Sequence, residues 1–289
     1  MTRHGCGAGK NIYKLKSVNF NTKKNLNKRN LDNNDDETYT PINIHYDMTY
    51  INNQKENLPN NKIEKIEMID KAMSRCVNIF KKLINIKQHL SDPIKVKNEQ
   101  DLKEWKFNTY KIDDNLMPKG KGIICDLLIL VRFKNENEVI KYDLPDASAV
   151  YIDEYTKRPI LGVLVIDDEF QLKKNSQDYL EYLLLHGITH ILGFSYNLFS
   201  SFPGQLSGTI LIEKEIRTNK EKYKIKTPKV LEFAKKYFNC NSITGVELEN
   251  KEDNAYPSHW EARILLGEYM NSEPYTPEQA ISEFTLALL

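Results

Sequence analysis

The sequence has almost no net charge. Its 41 Lys and Arg stand against 40 Asp and Glu, a formal +1, so nothing electrostatic points to nucleic acid or an anionic membrane surface as a partner. It has no long hydrophobic run. The longest apolar stretches, around 123–131 and 183–185, fall short of the roughly 20 residues a membrane helix needs. The first twenty residues, MTRHGCGAGKNIYKLKSVNF, lack the continuous apolar segment of a signal peptide, so localisation stays open. Cysteine is sparse: four (Cys6, Cys76, Cys125, Cys240) in 289 residues neither require nor exclude disulfides. No internal repeat is visible. What remains, 40% hydrophobic and 28% charged residues, is a globular composition with enough chain for a substantial core and two packed lobes.

Residues 1–40 are dominated by Asn, Lys and Asp, as in NTKKNLNKRNLDNNDDE, and read as a disordered tail. From Ile63 on, Ile66, Ile69, Met73, Cys76, Val77, Phe80, Leu83 and Ile84 recur at helical spacing. IICDLLILVRF (123–133), SAVYI (148–152) and ILGVLVI (160–166) read as strands, with the polar DEYTKRP between the last two as a turn. ILGVLVI is also a candidate edge along which a peptide could add by strand pairing, although core is the plainer role for its side chains. A second helix is expected over about 178–192, apolar on most sides, with Gly193 just past its end. NLFSSFPGQLSG reads as a loop. Thr227-Pro228 and Thr276-Pro277 each fit a cap followed by a first helical proline, the second opening a helix EQAISEFTLALL that runs to the last residue with its apolar face unspent. The expected fold class is α+β: a catalytic lobe over 41–195 and a second lobe over 196–289 that stops before its domain does.

The informative segment is LLLHGITHILGFS. His186 and His190, four apart on a helix, face the same way and can reach one metal ion. Taken alone, two such histidines are more often core or surface residues than ligands. An apolar helix, however, would have to bury both imidazoles at a cost that metal ligation removes. The zinc-peptidase pattern is H-E-x-x-H, whose glutamate takes a proton from the attacking water; here the second position is Gly187. His190-Ile191-Leu192-Gly193 matches the metzincin continuation, whose third histidine would fall at position 196. Tyr196 stands there instead. A third histidine, His259, appears 69 residues on (259 minus 190) in SHWEARILLGEYM.

Together these residues resemble the leishmanolysin-like peptidases, a metzincin branch with a long insert before a third histidine in Ser-His-Trp-Glu context and then a methionine turn, matched by Ser258, His259, Trp260, Glu261 and Met270. RPILGVLVID, FNCNSITGVELEN and ISEFTLALL look like the same family, so the resemblance spans about 42–289. It implies one Zn2+ per chain on His186, His190 and His259, with Met270 as an apolar floor. It also implies hydrolysis of protein or peptide substrates by zinc-activated water, and a cell-surface, membrane or secreted location with no anchor in this sequence. Family members carry an export signal and a further cysteine-rich domain, so both ends here look incomplete.

Gly187 departs from the family at the general base, a function typically worth about 10²- to 10⁴-fold. No helical neighbour of position 187 carries a carboxylate. Glu261 is the nearest in sequence to the third ligand, as a substitute base or an orienter of an imidazole. Two readings follow: an inactive member that binds peptides or adheres to a surface, or an active sequence altered at one codon. A structural domain without metal is a third. His4, His45 and His89 lie in polar surroundings and are expected to be solvated.

Overall fold

In the computed structural model the described residues are 13–20, 39–55, 59–87, 89–107, 111–134, 145–167, 176–202, 208–215, 219–249, 257–272 and 279–289. In chain order the elements are β1 (Lys16–Val18), β2 (Thr40–Pro41), β3 (Ile44–Asp47), α1 (Thr49–Asn52), α2 (Asn60–Leu83), β4 (Asn85–Ile86), α3 (Glu99–Glu104), β5 (Leu127–Phe133), β6 (Asp146–Asp153) and β7 (Pro159–Ile166). Then come α4 (Ser176–Leu192), α5 (Tyr196–Phe199), β8 (Ile210–Lys214), β9 (Glu221–Ile225), α6 (Pro228–Tyr237), β10 (Val246–Glu247) and α7 (Glu283–Leu288). The class is the α+β arrangement the sequence implied.

The main sheet has the order β1-β6-β7-β5-β3. β3, β5 and β7 run parallel, and β6 pairs antiparallel with β7. Alternation along β5 divides its side chains: Leu127, Ile129, Val131 and Phe133 join the core beneath α2 and α4, while Leu128 and Leu130 join a second core around Trp105. This is the period of two that strands impose. α2 meets the first core through Ile66, Ile69, Met73, Cys76 and Phe80, all at most 1% exposed, a 3-4-3-4 spacing along one helical stripe. Its last turn carries Lys81 and Lys82, the sign that the C-terminal end of a helix dipole favours. Arg75 of α2 pairs with Glu181 of α4 at 2.7 Å, fixing the two helices side by side.

α4 lies close on β6 and β7 because Gly162 lets it. A Cβ at Gly162 would stand 2.3 Å from Ile191 Cγ2 and 2.9 Å from its Cδ1, so any side chain there must push the helix end away. Gly162→Ala is therefore expected to destabilise the fold by about 1–3 kcal/mol, the cost of overpacking a filled core. Urea denaturation checks this, and an unchanged midpoint would contradict the packing.

Four expectations need correction. Residues 13–20, placed in a disordered tail, are ordered: β1 pairs with β6 at Tyr151–Asp153, Tyr13 and Phe20 are buried, and Lys16 pairs with the buried Asp101. Two aromatic anchors and the ion pairs of Lys16 with Asp101 and Glu104 hold a segment whose average composition is polar. β7 is not an edge, since β6 and β5 flank it. At the start of NLFSSFPGQLSG, a helical turn, α5, runs over Tyr196–Phe199. The last helix begins at Glu283, behind Ser282, because Ala280 is held extended by hydrogen bonds with Gly267 and Tyr269; Thr276-Pro277 lies outside the described residues.

The second half has a three-stranded antiparallel sheet, β10-β9-β8. A third core joins Tyr182, Leu183 and Phe194 from around α4 to Tyr223, Ile225, Val230, Trp260, Met270 and Phe284. α4 thus lies between two cores, which is how both its imidazoles come to be buried. No helix among the described residues is long and apolar enough to cross a membrane. Cys76 and Cys125 are buried free thiols, and burial pushes both up to about 12.

Candidate metal centre

The site begins with the spacing on α4. His186 and His190 are both fully buried and turned to one side, with ring centroids 4.7 Å apart. His259, 1% exposed, arrives on an extended stretch held on two sides. Glu249 N–H donates to the His259 carbonyl at 3.0 Å and Glu261 N–H to Glu247, while Trp260 N–H donates to Met270 on the other side. Leu248 and Trp260 form a bridge between these stretches.

The three Nε2 atoms converge. They lie 3.0 Å (His186 to His190), 3.1 Å (His190 to His259) and 3.2 Å (His186 to His259) apart. Each Nδ1 faces an acceptor: the Tyr269 carbonyl at 2.9 Å for His186, the Phe194 carbonyl at 2.6 Å for His190, and Glu249 Oε1 at 2.6 Å for His259. A carbonyl oxygen only accepts, as does an ionised carboxylate, so in neutral imidazoles the proton resides on Nδ1. That leaves three Nε2 lone pairs pointed at one another. They cannot satisfy each other, whereas a single cation satisfies all three. Ligands 2.0–2.1 Å from one tetrahedral ion lie about 3.3 Å apart, close to the observed triangle. The donor set therefore fits a nitrogen-preferring divalent ion, and His186, His190 and His259 are the group among the described residues able to hold one.

Electrostatics favour the ligating form. Burial, with a smaller contribution from the charge of His259, pushes His186 down to about 3, although its bond to the Tyr269 carbonyl acts the other way. Burial and the charges of His186 and His259 likewise hold His190 well below the usual imidazole range. For Glu249, burial works upward but is outweighed by the charge and hydrogen bond of His259, with help from Ser272 and the Ser258 backbone, so its carboxyl titrates below the usual range.

A family model described as leishmanolysin matches residues 40–289. The chain belongs to the leishmanolysin family. Similar curated relatives include a ciliated left-right organizer metallopeptidase from Danio rerio, 31% identical over 54% of this chain and 26% of its own length. A leishmanolysin-like peptidase from Drosophila melanogaster is 28% identical over 62% of this chain and 31% of its length; one from Caenorhabditis elegans is 28% identical over 46% and 25%. The chain thus spans about a quarter to a third of the curated relatives it matches. The leishmanolysin family is a metzincin-type metallopeptidase family, and the mixed sheet with a long histidine-bearing helix is its arrangement here.

At Gly187 a Cβ would point toward β6 and β7, 2.8 Å from Leu164 Cδ1, 3.2 Å from Pro145 Cγ and 3.5 Å from Ala147 Cβ. Glu261 is turned to Arg263, its Oε1 accepting from Arg263 Nε at 3.1 Å. The carboxylate that orients His259 is Glu249, ten residues before it, which the sequence reading did not single out. Its stretch, VELEN, was noticed only as family-like, and spacing offers no signal because the pairing is between strands. Met270 is fully buried in the third core. Glu268 was also overlooked. This buried carboxylate accepts from Met270 N–H, Ser282 Oγ and Thr285 Oγ1, and Thr285 Oγ1 in turn accepts from Trp260 Nε1 at 2.9 Å; it ties α7 to both the methionine turn and the His259 stretch. Of the histidines set aside, His89 is not simply solvated: its Nδ1 lies 2.7 Å from the buried Asp126. His4 lies outside the described residues.

Proposed function

We propose that this chain is a zinc-binding leishmanolysin scaffold that engages protein or peptide substrates and hydrolyses them poorly or not at all. The observation that carries the reading is the convergence of three Nε2 atoms, each imidazole fixed by an acceptor at Nδ1. His186, His190 and His259 hold one zinc ion, and Met270 closes the site from below as an apolar residue. Zinc, when bound, supplies Lewis acidity toward water and the scissile carbonyl.

What the protein adds is selective. Neutral, buried imidazoles keep the site dry and preorganised. Peptide is received beside β6, whose start packs on α4 at position 187 and whose pairing with β1 covers, among the described residues, Tyr151–Asp153; this replaces the β7 edge expected from sequence. Among the described residues singled out for the role, none is a base standing ready. Gly187 has no side chain, Glu261 is committed to Arg263, and Glu249 lies behind the His259 ring, on its Nδ1 side. These placements favour the inactive reading, a pseudopeptidase that captures peptides or adheres to a cell surface without turnover, over an active peptidase.

Purified chain reconstituted with zinc decides between the two. One zinc per chain with negligible chelator-sensitive cleavage of casein is the expected result. Rapid chelator-sensitive cleavage would overturn the claim of impairment, and absence of zinc binding would overturn the scaffold reading.

A further inference from the structure

We infer that Glu249 is a positioning residue for the metal centre, fixing the His259 ring with Nε2 turned inward and making that imidazole the strongest donor of the three. The inference rests on the three-histidine reading above and names a role for a residue outside it.

The three imidazoles are not held alike. His186 and His190 share one helix, so α4 sets their relative positions, and each gives its Nδ1 proton to a main-chain carbonyl. His259 belongs to a separate segment and has no helix to align it. Glu249 grips it twice: its N–H donates to the His259 carbonyl at 3.0 Å, and its Oε1 accepts from the ring Nδ1 at 2.6 Å. The two stretches are paired as neighbouring strands through Leu248 and Trp260 and through Glu261 and Glu247. A side chain on a paired strand is placed by the ladder, which is a firmer support than a loop.

Charge is the second difference. Of the three acceptors, only Glu249 bears a formal charge. A carboxylate accepting from Nδ1–H raises electron density at Nε2 and offsets one unit of a divalent cation's charge. The first favours a nitrogen-seeking ion such as Zn2+ or Co2+ over oxygen-seeking Mg2+ or Ca2+, and the second strengthens the hold on any divalent cation. The same geometry excludes Glu249 as a general base, because the imidazole ring stands between it and the converging Nε2 atoms.

Glu249→Gln keeps an acceptor for Nδ1–H and removes the charge, whereas Glu249→Ala removes both. With full-length metal-free protein, zinc is titrated in competition with a chromophoric chelator, Co2+ is added separately for its visible absorption, and thermal midpoints are taken without metal. The expected result is zinc affinity about 10- to 100-fold weaker in Glu249→Gln, a shifted Co2+ spectrum, and a metal-free midpoint close to the parent's. Should the alanine variant fail to fold, the glutamine variant carries the comparison. Equal zinc affinity of parent and glutamine variant overturns the role of Glu249 alone. A lowered metal-free midpoint with unchanged affinity overturns it in favour of a purely structural contribution. A parent that binds no zinc overturns the three-histidine reading, and this inference with it.

Discussion

Gly187→Glu is expected to raise zinc-dependent peptide hydrolysis by about 10²- to 10⁴-fold over the unaltered chain, the range that a positioned general base typically supplies. Position 187 follows His186 directly and precedes His190 by three, so its side chain leaves the helix beside the ligands. The space is tight but adjustable. The nearest obstacle is the Leu164 Cδ1 methyl at 2.8 Å, the tip of a flexible side chain, and Pro145 Cγ at 3.2 Å must give by a few tenths of an ångström. Gly187→Ala is the control. It gains about 1 kcal/mol from helix propensity and meets the same crowding, so its stability should stay near the parent's, and it should gain no activity. Hydrolysis is measured on a quenched-fluorescence peptide with zinc present and with chelator. If the glutamate variant binds zinc and folds but cleaves no faster than Gly187→Ala, the missing base is not what limits turnover.

How much of this centre the sequence displays depends on the kind of contact that builds each part. His186 and His190 are legible because helix geometry converts a spacing of four into a shared face, and the apolar flanks announce a buried helix. α2 is legible for the same reason. His259 is not reachable by spacing; only the Ser-His-Trp-Glu context identifies it. The acceptors behind the imidazoles are harder still. Two are main-chain carbonyls, of Tyr269 and Phe194, and a carbonyl leaves no mark in residue identity. Glu249 has an identity, but its partner is set by strand pairing across a gap in sequence.

The errors have physical causes too. β7 is buried along its whole length, which shows layers packed on both faces but does not tell an interior strand from an edge; only its pairing with β5 and β6 does. Residues 13–20 were misplaced because composition averages over a window, while Tyr13, Lys16 and Phe20 act singly. The last helix begins only at Glu283 because Ala280 pairs beside Met270, and a tertiary pairing overrides a local signal. Nothing local in the sequence explains Gly187 itself.

Zinc at a free concentration a thousandfold above its Kd is expected to stabilise the chain by about 4 kcal/mol near pH 7.5, and acid should remove that stabilisation together with part of the metal-free stability. His186 is held down to about 3 in the folded chain but titrates near 6.5 when unfolded. Its contribution is complete above pH 6.5 and is lost as pH falls toward 3, amounting to about 2 kcal/mol by pH 5. His190 shifts in the same direction. Glu268 opposes them. Burial pushes its carboxyl up to about 7, despite hydrogen bonds from Thr285, the Met270 backbone and Ser282. A carboxyl raised in the folded state binds its proton more tightly there, so stability grows as pH falls from 7 toward 4.5, by about 2 kcal/mol at pH 5. Two histidines outweigh one glutamate, and the metal-free chain should be less stable at pH 5 than at pH 7.5. Glu268→Gln removes only the opposing gain. Its absolute stability should drop, because the amide nitrogen must face either the Met270 N–H or the Oε1 side, where the Ser282 N–H and the Ser282 and Thr285 hydroxyls now donate; the change between the two pH values is therefore the measure. Urea denaturation at pH 5 and 7.5, with and without zinc, should show the acid loss deepen by about 2 kcal/mol in Glu268→Gln. Parallel losses in parent and variant would mean that the carboxyl tying α7 to the methionine turn is already ionised at pH 5.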